Sequence, residues 1–212
     1  MIVALVGNGP SVLGKGAEID AHDFVVRCTA FPLVYGSAAG SKLSAWARFG
    51  CQHYCPPKME IPTGDYSVWF TLPLSRCMEV DKSHCGSLVN AISCAGMRPM
   101  HFISEDLWEA EKAYLSATTS REHKWAAPTT GFTALDMALR ILNPELIKLY
   151  GFDATVEGKP GWGDAREVIK WLPSAGGHDM LAEKQAIAAL RDTGVWLGKP
   201  CDTKIVWPGA PC

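Results

Sequence analysis

A glycine-rich turn stands at the start of the chain, where Gly7-Asn8-Gly9-Pro10-Ser11 directly follows the apolar run Ile2–Val6. Short runs of branched apolar residues are typical of buried strands, and the Gly-Pro pair is typical of a tight turn. Glycine lets backbone N–H groups approach a phosphate or a sugar, because no Cβ stands in the way. Open α/β sheets hold nucleotides at such a turn after the first strand. The segment therefore predicts either a nucleotide site or an ordinary strand–loop connection.

Two further segments combine glycine with small polar side chains. Pro128-Thr129-Thr130-Gly131-Phe132 begins a helical pattern, and Gly151-Phe152-Asp153 follows an apolar run typical of a strand. Threonine hydroxyls and a carboxylate can hydrogen-bond a nucleotide or a sugar. The same residues also have structural uses, because threonine caps helices and aspartate bonds backbone N–H groups in loops.

A histidine precedes the last helical pattern of the chain. His178 follows Gly176-Gly177, and Glu183 comes five residues after it. Imidazole has an unperturbed pKa of about 6.5, so it can take a proton from a hydroxyl near neutral pH. The alternative is that His178 only caps the helix or lies on its surface. A second histidine, His22, is interpreted as structural.

The first half of the chain resembles the sialyltransferase superfamily. Gly7–Ser11 together with Phe24-Val25-Val26-Arg27-Cys28 is similar to the bacterial sialyltransferases of glycosyltransferase family 42. Ile19-Asp20-Ala21-His22-Asp23-Phe24-Val25 and Gly40-Ser41-Lys42 resemble the long motif of the animal-type family 29.

The second half continues the same resemblance. Pro128–Gly131 and Tyr150-Gly151-Phe152 resemble the short motif of family 29, and His178 with Glu183 resembles its very short motif. The order and approximate spacing of the motifs agree over nearly the whole chain. Each motif alone is weak, whereas the ordered set is fairly specific.

The resemblance implies a CMP-sugar donor and a single Rossmann-like domain of the glycosyltransferase GT-A-variant type. Asn8 would touch the donor nucleotide, and His178 would be the general base. Thr129–Gly131 would lie against the cytidine or the donor sugar, and Glu183 would support the segment of His178. The donor-binding residues that it implies are Gly7, Asn8, Gly9, Pro10, Ser11, Arg27, Thr29, Thr129, Thr130, Gly131, Phe132, Gly151 and Asp153.

Two departures from the pattern of these families concern the donor and the departing phosphate. Thr29 stands where both families usually carry asparagine, so the paired donor and acceptor of an amide are missing there. Family 42 carries tyrosines shortly after its Gly-x-Asp to hold the departing phosphate, and here the candidates are Thr155 and Trp162.

The chain contains no Asp-x-Asp, the carboxylate pair with which many glycosyltransferases hold a divalent metal at a pyrophosphate. A CMP-sugar carries a single phosphodiester, and hydroxyls, an indole N–H or a helix N-terminus can stabilise the departing charge. The main task left is deprotonation of the acceptor hydroxyl, which a histidine performs. We therefore expect no metal and no cofactor.

Composition limits the remaining classes of function. The chain has 212 residues, 48% of them hydrophobic, and a net charge of −2, which is typical of one globular domain spanning residues 1–212. This charge does not indicate nucleic acid as a partner, although a local basic patch remains open. With no apolar stretch near about 20 residues and no early leader, we expect a cytoplasmic protein without a membrane span. The oligomeric state is not predicted.

Eight cysteines occur in the chain, and without a secretory signal we interpret them as free thiols. A zinc site is the alternative for the cluster that runs from Cys51 through His53, Cys55, Cys77 and His84 to Cys85.

The periodicity of the chain predicts strands alternating with helices, and hence one doubly wound α/β domain. Residues 154–177, rich in glycine and proline, are predicted to form a loop or lid over a site, and Gly36–Ser41 a loop. The predicted strands are Ile2–Val6, Asp23–Cys28, Leu43–Phe49, Tyr66–Leu72, Met100–Ile103, Leu146–Tyr150 and Val195–Leu197. Helices are predicted after Ser104, from Pro128 to Asn143, and after His178.

These observations predict an inverting, metal-independent glycosyltransferase that moves an acidic sugar, such as sialic acid or 3-deoxy-octulosonic acid, from CMP to a hydroxyl acceptor, a glycan or another hydroxyl compound. Two alternatives stay open. One is a transferase of the same fold with another nucleotide sugar or a nucleic-acid acceptor. The other is a non-catalytic nucleotide-binding module.

Overall fold

In the part of the chain that the structure describes, seven parallel strands form the central sheet. The computed structural model describes residues 1–28, 36–49, 63–76, 96–118, 127–152 and 180–207. The strands of the sheet are β1 (Ile2–Val6), β2 (Phe24–Cys28), β3 (Ala45–Arg48), β4 (Ser67–Phe70), β5 (Met100–Phe102), β6 (Leu146–Tyr150) and β9 (Lys204–Val206). The helices are α1 (Gly16–Asp20), α2 (Glu105–Thr118), α3 (Thr130–Leu142) and α4 (Met180–Thr193), with 3₁₀ turns at Pro10–Val12 and Gly36–Ala39.

The strand order is β5-β4-β3-β2-β1-β6-β9, and every neighbouring pair is parallel. From β1 the chain adds strands outward to β5 and then returns to the other side of β1 with β6. The order therefore reverses between β1 and β6, which makes the carboxyl ends of these two strands the topological switch point of the sheet.

Helices cover both faces of the sheet, because alternate residues of each central strand are buried on opposite sides. Val3 and Leu5 of β1 pack in one large core with residues of α2, α3 and α4. Ala4 and Val6 pack on the other side with Ile19 of α1. The predicted parallel α/β architecture is confirmed.

The ends of the helices follow the signals in the sequence. The Thr129 hydroxyl accepts a hydrogen bond from Phe132 N at 3.2 Å and caps α3, while Asn143 ends that helix in a left-handed conformation at φ 43°. Ser104 caps α2 by accepting from Leu107 N at 3.4 Å. Within the described part of the chain, no helix combines the length and apolar character needed to cross a membrane.

The strand predicted at Val195–Leu197 is present, but it does not join the central sheet and is not the last strand of the described residues. Val195–Trp196 is β7, which pairs with β8 (Lys199–Pro200) in a separate antiparallel hairpin. The strand that extends the sheet beside β6 is β9, whose three residues are too few for a periodicity to be visible. Gly36–Ala39, predicted as a loop, forms a 3₁₀ turn. The predicted lid at residues 154–177 lies outside the described residues.

An ion pair between buried Arg27 and part-exposed Asp20 anchors residues 39–42, which precede β3. The fully buried guanidinium of Arg27 donates to Ala39 O, to Lys42 O and, at 3.2 Å, to Asp20 Oδ1. The Asp20 carboxylate also accepts from Ser41 N at 2.7 Å and from Lys42 N at 2.9 Å. Burial opposes the ionisation of Asp20, but these donors outweigh it and lower its pKa below the ordinary value.

Asp20→Asn tests this anchor. We expect the variant to lose about 2–4 kcal/mol of unfolding free energy at neutral pH, because the buried guanidinium of Arg27 loses its counter-charge. The folded pKa is depressed, so the contribution of Asp20 is complete above about pH 4 and is lost as the pH falls through the folded value. Chemical denaturation between pH 7 and pH 3 should therefore show that the difference in unfolding free energy between native protein and variant becomes smaller as the pH falls. Asp202→Asn, which changes an exposed aspartate, is the control. If Asp20→Asn lost no more unfolding free energy than this control, the stabilising role of Asp20 would be contradicted.

Candidate nucleotide site at the switch point

The carboxyl ends of β1 and β6 are joined by backbone hydrogen bonds. Gly7 N donates to Tyr150 O at 2.7 Å, and Gly9 N donates to Gly151 O at 2.9 Å. Ser11 Oγ accepts from Gly151 N at 3.2 Å. The segments Gly7–Ser11 and Gly151-Phe152 therefore form one continuous surface at the switch point, here called the floor.

Both of these loops require glycine where they meet. A Cβ on Gly7 would lie 2.5 Å from Gly151 O, and a Cβ on Gly151 would lie 2.7 Å from both Gly7 O and Val12 Cγ1. Gly151 also has a φ of +69°, which residues with a Cβ rarely adopt. The glycines of the two motifs are thus explained first by the contact between the loops themselves.

The N-terminus of α3 lies against the same floor. The buried ring of Phe152 contacts Gly131, where a Cβ would stand 3.1 Å from Phe152 Cε1. Thr130 and Gly131 are half-buried in the first turn of this 13-residue helix. The unpaired N–H groups and the dipole at a helix N-terminus favour an anion such as a phosphate. The structure thus brings together Gly7–Ser11, Thr129–Phe132 and Gly151.

Glu183 ties α4 to this helix terminus. Its buried carboxylate accepts from Thr129 N and from Thr129 Oγ1, each at 2.7 Å. The sequence suggested that Glu183 supports its own segment, whereas its contacts with Thr129 cross to the other motif. Because Thr129 and Glu183 are 54 residues apart, no local sequence pattern indicates this contact.

Solved structures of sialyltransferases share this architecture. A mammalian sialyltransferase superposes over 97% of this chain and 68% of its own, with 18% identity and a TM-score of 0.54. The α-2,3-sialyltransferase from Campylobacter jejuni in apo form superposes over 97% and 74%, with 17% identity and a TM-score of 0.57. CstII from the same organism, in complex with the substrate analogue CMP-3FNeuAc, superposes over 99% and 81%, with 17% identity and a TM-score of 0.58. This chain has the sialyltransferase fold. No family model and no curated protein matches the sequence.

Within the sialyltransferase fold of this chain, some of the predicted donor residues lie in described segments and the others do not. Asn8 is half-buried between the two clamped glycines, and Pro10 begins the 3₁₀ turn after the floor. Arg27 is occupied by the loop at residues 39–42, so a donor-binding role for it stays a prediction. The remaining candidates lie in segments that the structure does not describe: Thr29, Asp153, Thr155, Trp162 and His178.

His22 has a structural environment in this fold. Its buried ring places Nδ1 2.8 Å from Glu18 O and 3.1 Å from Ile19 O, at the end of α1. Nε2 faces the Tyr150 hydroxyl at 3.5 Å, and that hydroxyl donates to Glu18 at 2.8 Å. Burial, together with the bond to Glu18, raises the pKa of Tyr150, which keeps the hydroxyl protonated as a donor. These contacts fit the structural interpretation of His22.

No group of three or more His, Cys, Asp or Glu side chains able to hold a metal occurs among the described residues. Both cysteines in that part of the chain, Cys28 and Cys201, are free thiols. Burial raises the pKa of Cys28 to about 12, so this thiol is unreactive. The cluster from Cys51 to Cys85, with its zinc alternative, lies in the ranges left undescribed.

Gly151→Ala, compared with Gly198→Ala, tests the loop contact. Both glycines have a similar positive φ, +69° and +77°, but nothing lies within 4 Å of a Cβ at Gly198. We expect Gly198→Ala to cost about 1 kcal/mol of unfolding free energy for backbone strain alone. Gly151→Ala should cost about 1–3 kcal/mol more, because backbone atoms of Gly7 must move. Equal losses in denaturant titrations would mean that the contact between the loops is not tight.

Proposed function

We propose that this protein is an inverting, metal-independent glycosyltransferase that moves an acidic sugar of the sialic acid or 3-deoxy-octulosonic acid type from CMP to a hydroxyl acceptor. The observation that carries the proposal is the convergence of the glycine and threonine motifs at the switch point of a sialyltransferase fold. CstII, a neighbour in fold, was crystallised with a CMP-sugar analogue. The GT-A-variant classification and a cytoplasmic location belong to the same proposal.

The donor would lie across the floor and the first turn of α3. The N–H groups of Gly7 and Gly9 are occupied by β6 and its loop, so the glycines shape the floor while Asn8 presents an amide to the nucleotide. The α3 terminus, capped by Thr129 and followed by Thr130 and Gly131, would face the phosphate or the sugar.

The reaction needs one proton acceptor and a stabilised leaving group. His178 would take the proton of the acceptor hydroxyl, and the hydroxyl oxygen would attack the anomeric carbon from the face opposite to the phosphate. The bond between that carbon and the phosphate oxygen breaks, and CMP leaves with the electron pair. Thr155 and Trp162 are the candidates to donate hydrogen bonds to the departing phosphate. A monophosphate leaving group removes the need for a metal, so we propose that the protein works without one.

Calorimetric titration with nucleotides tests the donor. We expect CMP to bind equally well with and without EDTA, and more tightly than UDP or GDP. Asn8→Ala should weaken the binding of CMP by about 1–3 kcal/mol, which is the cost of leaving a hydrogen-bond partner unpaired. Gln185→Ala, an exposed amide on α4, is the control. A requirement for magnesium or manganese, or a preference for UDP, would refute the proposed donor.

His178→Ala tests the chemistry. The variant should keep its fold and its CMP affinity but lose about 10²-fold or more in transfer rate, since a general base contributes about that factor. His101→Ala on the far edge strand β5 is the control. Near-normal turnover by His178→Ala would place the base elsewhere. Tight CMP binding by the native protein without turnover of any CMP-sugar would instead indicate a nucleotide-binding module.

A further inference from the structure

A polar stripe runs along one side of α3. Thr129, Thr133, Asp136 and Arg140 recur every three or four residues, so they share one side of the helix. Each is bonded: Thr129 to Glu183, Thr133 to Glu111 at 2.6 Å, and Asp136 both to Trp196 Nε1 at 2.6 Å and to Arg140 at 2.8 Å. Apolar surfaces can slide past each other, whereas these directional bonds fix the position of α3 along its axis relative to the floor.

Three carboxyl groups from three helices are buried at this interface, with Glu111 on α2, Asp136 on α3 and Glu183 on α4. Glu183 accepts two hydrogen bonds from Thr129, and Asp136 accepts one at each of its oxygens. Glu111 differs, because only its Oε2 is bonded. Its Oε1 is fully buried and has no hydrogen-bond partner among the described residues.

An ionised Glu111 would be unfavourable in these surroundings. The side chain has no exposed surface, and an unpaired buried carboxylate is among the costliest groups in a protein. The charged groups that act on it most strongly are Asp136 and Arg140 from α3 and Glu183 from α4. Arg140 is half-exposed and is already paired with Asp136. Burial raises the pKa of Glu111 well above its ordinary value, and the two neighbouring carboxylates raise it further.

We propose that Glu111 holds a proton in the native protein, and that losing this proton at alkaline pH loosens the first turns of α3 and α4 at the switch-point site. With the proton present, the Glu111 carboxyl and the Thr133 hydroxyl share a neutral hydrogen bond. Deprotonation adds a third negative charge between α2, α3 and α4, and separating the helices relieves the repulsion. The bonds between Glu183 and Thr129 lie at the end of this interface that faces the floor.

Loosening of this interface would affect the two segments to which the proposed function assigns the chemistry, the α3 terminus and the start of α4. Thr129 caps the helix turn that faces the donor, and Glu183 lies five residues after the proposed base His178. The effect on catalysis rests on the proposed function, whereas the proton and the loosening do not. The helix interface thus carries a pH-dependent control of the site.

Infrared spectroscopy tests the proton directly. At pH 7 the native protein should show a buried carboxylic acid C=O stretching band, which Glu111→Gln removes. Glutamine keeps the shape of the neutral side chain and can donate to the Thr133 hydroxyl. Glu109→Gln, on the same helix but half-exposed and paired with Lys112, should leave the band intact. Absence of the band at pH 7, or its persistence in Glu111→Gln, would overturn the proposal, and the first result requires no variant to fold.

Hydrogen exchange, corrected for the intrinsic effect of pH, tests the loosening. Amides of residues 127–135 should exchange faster at pH 9 than at pH 7 in native protein and in Glu109→Gln, but not in Glu111→Gln. The unfolding free energy of native protein should also fall as the pH rises from about 4.3 toward the folded pKa, because only the folded state keeps the proton. Equal exchange at the two pH values in the native protein would refute the coupling.

Titration with CMP then separates this inference from the proposed function. Native protein should lose about tenfold in CMP affinity from pH 7 to pH 9, a usual size for coupling between sites, while Glu111→Gln loses none. Failure to bind CMP at pH 7 would count against the donor alone, since the infrared band and the exchange do not involve nucleotide. Binding that weakens equally in both proteins would refute the control of the site by Glu111.

Discussion

The backbones after β1 and β6 approach each other so closely that neither Gly7 nor Gly151 can carry a side chain. This contact joins the two strands between which the order of the sheet reverses, and it turns their carboxyl ends into a continuous floor. The first turn of α3 rests on that floor through Phe152 and Gly131. This close approach of main chain to main chain therefore shapes the surface against which the described candidate groups for the nucleotide lie.

Two polar networks support this arrangement from opposite faces of the sheet. On the α1 side, Asp20 and Arg27 hold the loop at residues 39–42, while Tyr150 joins β6 to α1 through Glu18. On the other side, the carboxyl groups of Glu111 on α2 and Glu183 on α4 hold the buried side of α3. Apolar packing supplies most of the driving force for folding, whereas the directional bonds select one position for each element.

The residues of the long motif show how a functional resemblance and a structural role can coincide. The carboxylates of Asp20 and Asp23 accept hydrogen bonds from backbone N–H groups, and the donor to Asp23 is Ile2 N at 2.7 Å. His22 contacts the carbonyls at the end of α1. Their spacing is explained by the need to turn the chain from α1 into β2. In the proposed function, the chemistry is assigned to the glycine turn, the α3 terminus and the segment before α4.

Local pattern determined much of this protein. The strands Ile2–Val6 and Leu146–Tyr150, the caps at Ser104 and Thr129 and the end of α3 at Asn143 follow from side-chain type and period, because each depends on residues a few positions apart. Glu111 leaves a trace as well, since it occupies a core position three residues after Trp108 and four before Leu115. The contact of Gly7 with Gly151, the grip of Glu183 on Thr129 and the pairing of β9 with β6 were decided only by the tertiary structure. Each joins groups that are distant in sequence, and only the folded sheet and its helices determine that they meet.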